Sequence, residues 1–167
     1  CIDTYKMLEK MNEKIYPVVN ITVSEENCRN IKKIYNYFKD DCKIKSIKAC
    51  IVRDEGIYKT PMNKKKEIFL AYEWLTDQIA KEMTNDKIIN YNDNSLQGKL
   101  HRKKDLLSWD MVKKTYLEPK FISPCHAGGL FGIITSNGKI FPCEILEDKL
   151  LGDLRDNNMD FMKIWNN

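Results

Sequence analysis

Tyr16-Pro17-Val18-Val19-Asn20-Ile21-Thr22-Val23, followed at once by Ser24-Glu25-Glu26, is the stretch on which the fold turns. Successive side chains of a strand point to opposite faces, so Asn20 and Thr22 share one face while Val19, Ile21 and Val23 share the other. Ser24 is suited to cap a helix, and Glu25 and Glu26 complement the positive end of its dipole. The helix predicted there runs to about Phe38, with Ile31, Ile34 and Phe38 at helical spacing, and Asp40-Asp41 ends it. Lys43 to Val52 then reads as a second strand, in which Ile44, Ser46, Lys48 and Cys50 alternate with Lys45, Ile47, Ala49 and Ile51. Strand, helix and strand of this length form the pattern of a parallel βα unit. Two strands do not close a sheet, so an α/β slice of a larger barrel or open sheet is expected.

Working outward, residues 3–15 read as a helix with Leu8, Met11 and Ile15 on one stripe. Arg53-Asp54-Glu55-Gly56 ends the second strand, and Pro61 punctuates the loop beyond it. The longest helix is predicted over 63–83, with Ile68, Tyr72, Leu75, Ile79 and Met83 on one face. Asn85 to Gly98 is rich in Asn and Asp and reads as a loop. A further helix covers 104–117 and stops before Pro119. No internal repeat or low-complexity segment is present.

The sequence changes character near residue 119, which divides a first domain, 1–118, from a second, 119–167. In the second, Cys125-His126-Ala127-Gly128-Gly129 is a tight glycine-rich loop. Gly132 to Ser136 and Lys139 to Phe141 are two short apolar strands. Asn137-Gly138 between them is a hairpin signal, since both residues tolerate positive φ in a two-residue turn. Cys143 follows the second strand, and a capped helix is predicted over Asn158 to Trp165.

Composition narrows the function classes. An apolar fraction of 43% is that of an ordinary globular protein. The 28 basic and 24 acidic residues are scattered, giving a net charge of +4 without the clustering that nucleic acid requires. Lys64-Lys65-Lys66 reads as a solvated helix start. No window holds 18 apolar residues, which argues against a membrane span. No basic start leads into an apolar run, so no secretory signal is visible and a cytoplasmic protein is expected. The first residue is Cys1 rather than Met, as expected of a processed chain or of a piece of a longer one.

Cys1, Cys28, Cys42, Cys50, Cys125 and Cys143 stand in a Lys-rich sequence with long helical patterns, unlike a disulfide scaffold. Cys28 and Cys50 fall among core-facing positions and are expected to be buried. Cys42 lies in a turn. Neither Cys1 nor Cys42 has a partner at ligand spacing. Cys125 and Cys143 differ, because they flank a hairpin whose two ends meet. Thiolates converging there suit iron–sulfur or zinc ligation. A disulfide across the hairpin base and two unrelated buried thiols satisfy the same spacing. Glycine N–H groups after Cys125 are candidates to hydrogen-bond inorganic sulfide.

Cys125, twelve residues, Gly138, four residues and Cys143 form a pattern that resembles the auxiliary-cluster region of SPASM/twitch radical S-adenosylmethionine enzymes. Around it lie Cys-x-Ala-Gly at 125–128, Asn137-Gly138-Lys139-Ile140-Phe141-Pro142-Cys143-Glu144, Leu151-Gly152-Asp153-Leu154-Arg155 and Phe161-Met162-Lys163-Ile164-Trp165. The earlier words Asn20-Ile-Thr-Val-Ser-x-x-Asn27 and Val52-Arg53-x-Glu55-Gly56 are similar to late strands of that family's partial (β/α)6 barrel. The likeness is specific over 123–165 and looser before.

The resemblance implies that Cys125 and Cys143 ligate an auxiliary [4Fe–4S] cluster, the family's other ligands lying further on. It implies that Asn20 and Thr22 face the barrel lumen and contact the ribose or carboxylate of the cofactor S-adenosylmethionine, ordinary hydrogen bonding at a barrel rim being the alternative. It also implies that Arg53, at a strand's carboxyl end, pairs with a carboxylate of cofactor or substrate, a surface salt bridge to Glu55 or Asp54 being its alternative. The family's Cys-x-x-x-Cys-x-x-Cys is nowhere in this sequence, nor is its glycine-rich cofactor segment. The chain is therefore expected to be an inactive carboxy-terminal fragment. Its parent would generate a 5′-deoxyadenosyl radical to modify a substrate, with a peptide or protein as first choice. The alternatives are a small α/β module with a structural zinc site, against which stands the lack of any Cys-x-x-Cys pair, and a metal-free α/β protein.

Overall fold

The computed structural model describes residues 2–11, 17–52, 60–84, 95–122 and 124–166. The chain divides into two compact units, Cys1–Lys120 and Phe121–Asn167. Among the described residues it is mixed α/β, with five helices and two small sheets. None of those helices is long and apolar enough to cross a membrane.

The first unit is built on a parallel pair, β1 (Val19–Val23) and β2 (Ile47–Ile51), in register from Val19↔Ile47 to Val23↔Ile51. The Val19 N–H donates to the Ser46 carbonyl at 2.9 Å and the Val52 N–H to that of Val23 at 2.8 Å. Alternation holds on both strands. Ile21, Val23, Ile47 and Ala49 are buried, whereas Asn20, Thr22 and Cys50 are exposed. Cys50, expected in the core, thus lies on the polar face, because it shares the parity of Lys48 rather than that of Ala49. Cys28 is buried as expected, and Cys42 is buried in its turn.

The crossover between the strands is less regular than the predicted single helix. It passes through a turn and one 3₁₀ turn (Cys28–Asn30) into α2 (Ile31–Asn36), then a π-turn (Tyr37–Asp41). The Ser24 hydroxyl caps no helix among the described residues and donates to Glu26 at 3.4 Å. Instead Asn27 closes the exit from β1: its Oδ1 accepts from the Ser24 N–H at 2.9 Å, and its Nδ2 donates to the Thr22 carbonyl at 2.8 Å. After the π-turn Lys43 takes φ +57°, the left-handed conformation that reverses a chain leaving a helix, and Ile44 N–H reaches back to the Phe38 carbonyl at 2.9 Å.

α1 (Ile2–Met11) sends Tyr5 into the core, and the Tyr5 hydroxyl accepts from the Lys45 N–H at 3.3 Å. α3 (Met62–Thr84) covers the apolar sheet face with Ile68, Tyr72, Leu75, Ile79 and Met83, the stripe expected from their spacing. Trp74 on α3 meets Tyr35 on α2 edge-to-face at 5.8 Å. Glu82, buried on α3, is paired with Lys39 of the π-turn, a partnership that a buried carboxylate requires. α4 (Leu96–Thr115) begins earlier than its apolar pattern predicts, because the Ser95 hydroxyl accepts from the Gly98 N–H at 3.1 Å and starts the helix there. Trp109 anchors α4 in the core.

Two consequences follow from this core. Truncation of the fully buried Leu75 to alanine leaves a cavity and is expected to cost about 2–5 kcal/mol in chemical denaturation. Tyr35 is 1% exposed, and its hydroxyl has no hydrogen-bond partner among the described residues. Burial, reinforced by the charge of Asp40, pushes its pKa from 10.0 up to about 12. Below the unfolded value both states are neutral; as pH climbs towards the folded value the unfolded chain ionises first, and stability falls. Tyr35→Phe should remove that alkaline component and leave neutral-pH stability unchanged or raised by up to about 1 kcal/mol, since no hydrogen bond is lost. Denaturant midpoints at neutral and alkaline pH, compared with the parent chain, measure both effects.

Candidate metal centre and polar sheet face

In the second unit β3 (Ile133–Ile134), β4 (Lys139–Phe141) and β5 (Gly152–Asp153) form an antiparallel sheet in that order. The pairs Ile133↔Phe141 and Ile140↔Gly152 set its register. β5 was not among the expected strands. The hairpin turn also differs from the two-residue form. Only Gly138 takes positive φ, +80°. Its N–H donates to the Thr135 carbonyl at 2.9 Å, and the Thr135 N–H donates to the Lys139 carbonyl at 2.9 Å. This is a type I turn closed by a left-handed glycine, the three-residue solution.

α5 (Phe161–Trp165) packs on this sheet, and Ile140, Leu154 and Ile164 form the core with Phe161 against it. The helix starts at Phe161 rather than Asn158 because Asn158 and Met159 are both left-handed, at φ +53° and +61°. Asp160 caps it, its Oδ1 accepting from the N–H groups of Met162 at 3.1 Å and Lys163 at 3.4 Å. Phe161 and Trp165 stack at 5.3 Å.

Cys125 and Cys143 are free thiols, the first exposed and the second half-buried. What brings their segments together is Gly128. It sits at φ +79°, and a Cβ placed on it would lie 3.1 Å from the Pro142 Cβ. The loop three residues after Cys125 thus rests on the residue just before Cys143. By chain geometry alone the two Cα atoms lie within roughly 20 Å. The loop itself is internally bonded. Gly128 N–H donates to the Phe131 carbonyl at 2.8 Å, while Gly129 and Leu130 N–H both donate to the His126 carbonyl, at 3.1 and 2.9 Å. The glycine amides proposed from sequence as sulfide donors are already engaged. His126 and His101 are exposed.

Two soft thiolates suit an iron–sulfur cluster or zinc in kind, but they are two of the four donors such a centre takes. Among the described residues no three His, Cys, Asp or Glu side chains form a metal-holding group. The donor set fits in chemistry and is incomplete in number.

Asn20 and Thr22 lie side by side with β2 on the polar face of the other unit's sheet, opposite Lys48 and Cys50 in register. Asn20 Nδ2 donates to Cys50 Sγ at 3.2 Å. Lys48 is half-buried and meets Asp105 of α4 at 3.5 Å, Asp105 also pairing with Lys104 at 2.9 Å. Arg53 lies outside the described residues. Sequence reasoning missed the turn-closing role of Asn27, and it missed Asp105. The spacing of Asp105 from Trp109, Val112 and Tyr116 places that carboxylate on the inner side of α4 and was the available signal.

Gly132 and Gly152 let α5 dock. A Cβ on Gly132 would meet Trp165 Cζ3 at 2.8 Å and the Phe141 carbonyl oxygen at 3.0 Å, and one on Gly152 would meet Ile164 Cγ2 at 2.8 Å. Gly132→Ala and Gly152→Ala should each destabilise the second unit by about 1–3 kcal/mol through overpacking. Trp165 fluorescence against denaturant would read the loss.

Compared with protein-family models, curated proteins and solved structures, the chain matches none.

Proposed function

We propose that this chain is the carboxy-terminal part of a radical S-adenosylmethionine enzyme of the SPASM/twitch type, with Cys125 and Cys143 holding part of an auxiliary [4Fe–4S] cluster. The observation that carries the reading is the seating of Gly128 on Pro142, which sets the two cysteine-bearing segments at the same end of the hairpin. The size of the second unit supports it. Its buried core, Ile140, Leu154 and Ile164, is smaller than a domain of this length needs to stand alone. That is the condition under which small folds rely on metals or disulfides.

β1 and β2 are then adjacent late strands of a partial (β/α)6 barrel, with their polar side chains towards the lumen. Asn20 and Thr22 contact S-adenosylmethionine from that lumen-facing side. Arg53, which follows the carboxyl end of β2 in sequence, pairs with a carboxylate of cofactor or substrate, the carboxyl ends of strands being the usual binding side of such barrels. The parent enzyme cleaves S-adenosylmethionine reductively to a 5′-deoxyadenosyl radical that modifies a peptide or protein. This part alone lacks the cofactor-cleaving motif and is inactive. The auxiliary cluster, when bound, supplies electron transfer or substrate attachment. The remaining ligands come from other cysteines of the parent, which is cytoplasmic.

Anaerobic reconstitution with iron and sulfide tests the metal. Iron should bind with broad absorbance near roughly 400 nm and be lost in both Cys125→Ser and Cys143→Ser. Stoichiometric zinc in the same sample, with no iron uptake, would replace this reading by that of a structural zinc module. With dithiothreitol present to supply the missing thiolates, the absence of both metals together with unchanged folding of both variants would overturn the cluster assignment.

A further inference from the structure

Asn137-Gly138 is the sequence's single Asn-Gly pair, and it lies in the turn between β3 and β4. Asn137 is exposed, and Gly138 has no side chain to hinder approach of its nitrogen to the Asn137 amide. The Thr135 hydroxyl lies within hydrogen-bond reach of two acceptors, Asn137 Oδ1 and the Lys139 carbonyl oxygen at 3.0 Å, and its single proton serves one of them at a time. The fold opposes reaction through the nucleophile. The Gly138 N–H is donated to the Thr135 carbonyl at 2.9 Å, and the Gly138 carbonyl accepts from the Leu154 N–H at 3.0 Å. The first bond holds the peptide between residues 137 and 138 in the turn, and the second holds the next peptide, between 138 and 139.

We propose that Asn137 is a site of spontaneous deamidation gated by opening of this turn. The Gly138 backbone nitrogen, losing its proton, bonds to Asn137 Cγ; the Cγ–Nδ2 bond breaks and ammonia leaves, forming a succinimide. Water then adds to either ring carbonyl and gives aspartate or isoaspartate at position 137, with no change of oxidation state. Aspartate keeps the backbone length. Isoaspartate inserts one further atom into it, so the same turn no longer closes the Ile133↔Phe141 register.

The full chain would be held at mildly alkaline pH in native buffer and, in parallel, in guanidinium chloride. Peptide mapping by mass spectrometry and isoaspartate methyltransferase labelling would read position 137. Conversion in the denatured chain should be the fastest of all its asparagines. It should exceed the native rate by about tenfold or more, since the native reaction proceeds only through the open fraction. Gly138→Ala, assayed denatured so that folding is irrelevant, should slow it. Native and denatured rates within about threefold of each other would overturn the gating. A faster asparagine elsewhere in the denatured chain would overturn the site.

Discussion

The first unit depends on one contact, the stripe Ile68–Tyr72–Leu75–Ile79 of α3 laid on the apolar face of a two-stranded parallel sheet. Each of these side chains contributes about 1.5–3 kcal/mol by leaving water. A parallel pair has no hairpin to hold it together, so its ladder of hydrogen bonds depends on the crossover and on the helix that covers both strands. Other features serve that contact. Asn27 fixes the direction in which the chain leaves β1, and left-handed Lys43 turns it back towards β2. The Lys39–Glu82 pair ties the end of the crossover to α3.

The second unit solves a different problem. Its strands are two or three residues long and its core is small, so close approach replaces bulk. Three glycines are where that approach happens: Gly128 against Pro142, Gly132 against Trp165 and Gly152 against Ile164. The cysteines stand next to the first of these contacts.

Much of this was legible because periodicity is a strong signal where an element has one wet and one dry face. The alternation of Val19 to Val23 and the α3 stripe follow directly from residue spacing. Local geometry that depends on a single unusual dihedral was not legible. The hairpin turn took the three-residue form, and the last helix was shortened by left-handed Asn158 and Met159, residues that carry no Cβ-free licence for that conformation. The expectation for Cys50 failed on parity: one residue along a strand exchanges core for solvent. For the candidate metal centre, the sequence placed the cysteines at one end of a hairpin. It did not reveal that the loop amides would be consumed by the loop's own turns, because those bonds depend on where the Phe131 carbonyl lies.

The Gly128–Pro142 contact also changes the arithmetic of capture. With the two segments held together, a soft ion caught by one sulfur would meet the other at an effective concentration set by the intervening chain rather than by dilute solution. On the proposed reading the second bond would form as an intramolecular event, and the ion's residence time would rest on a glycine that touches no metal. An oxidant would gain from the same arrangement. Metal and oxidant would compete for one pair of sulfurs, and the outcome would follow whichever reached the folded loop first.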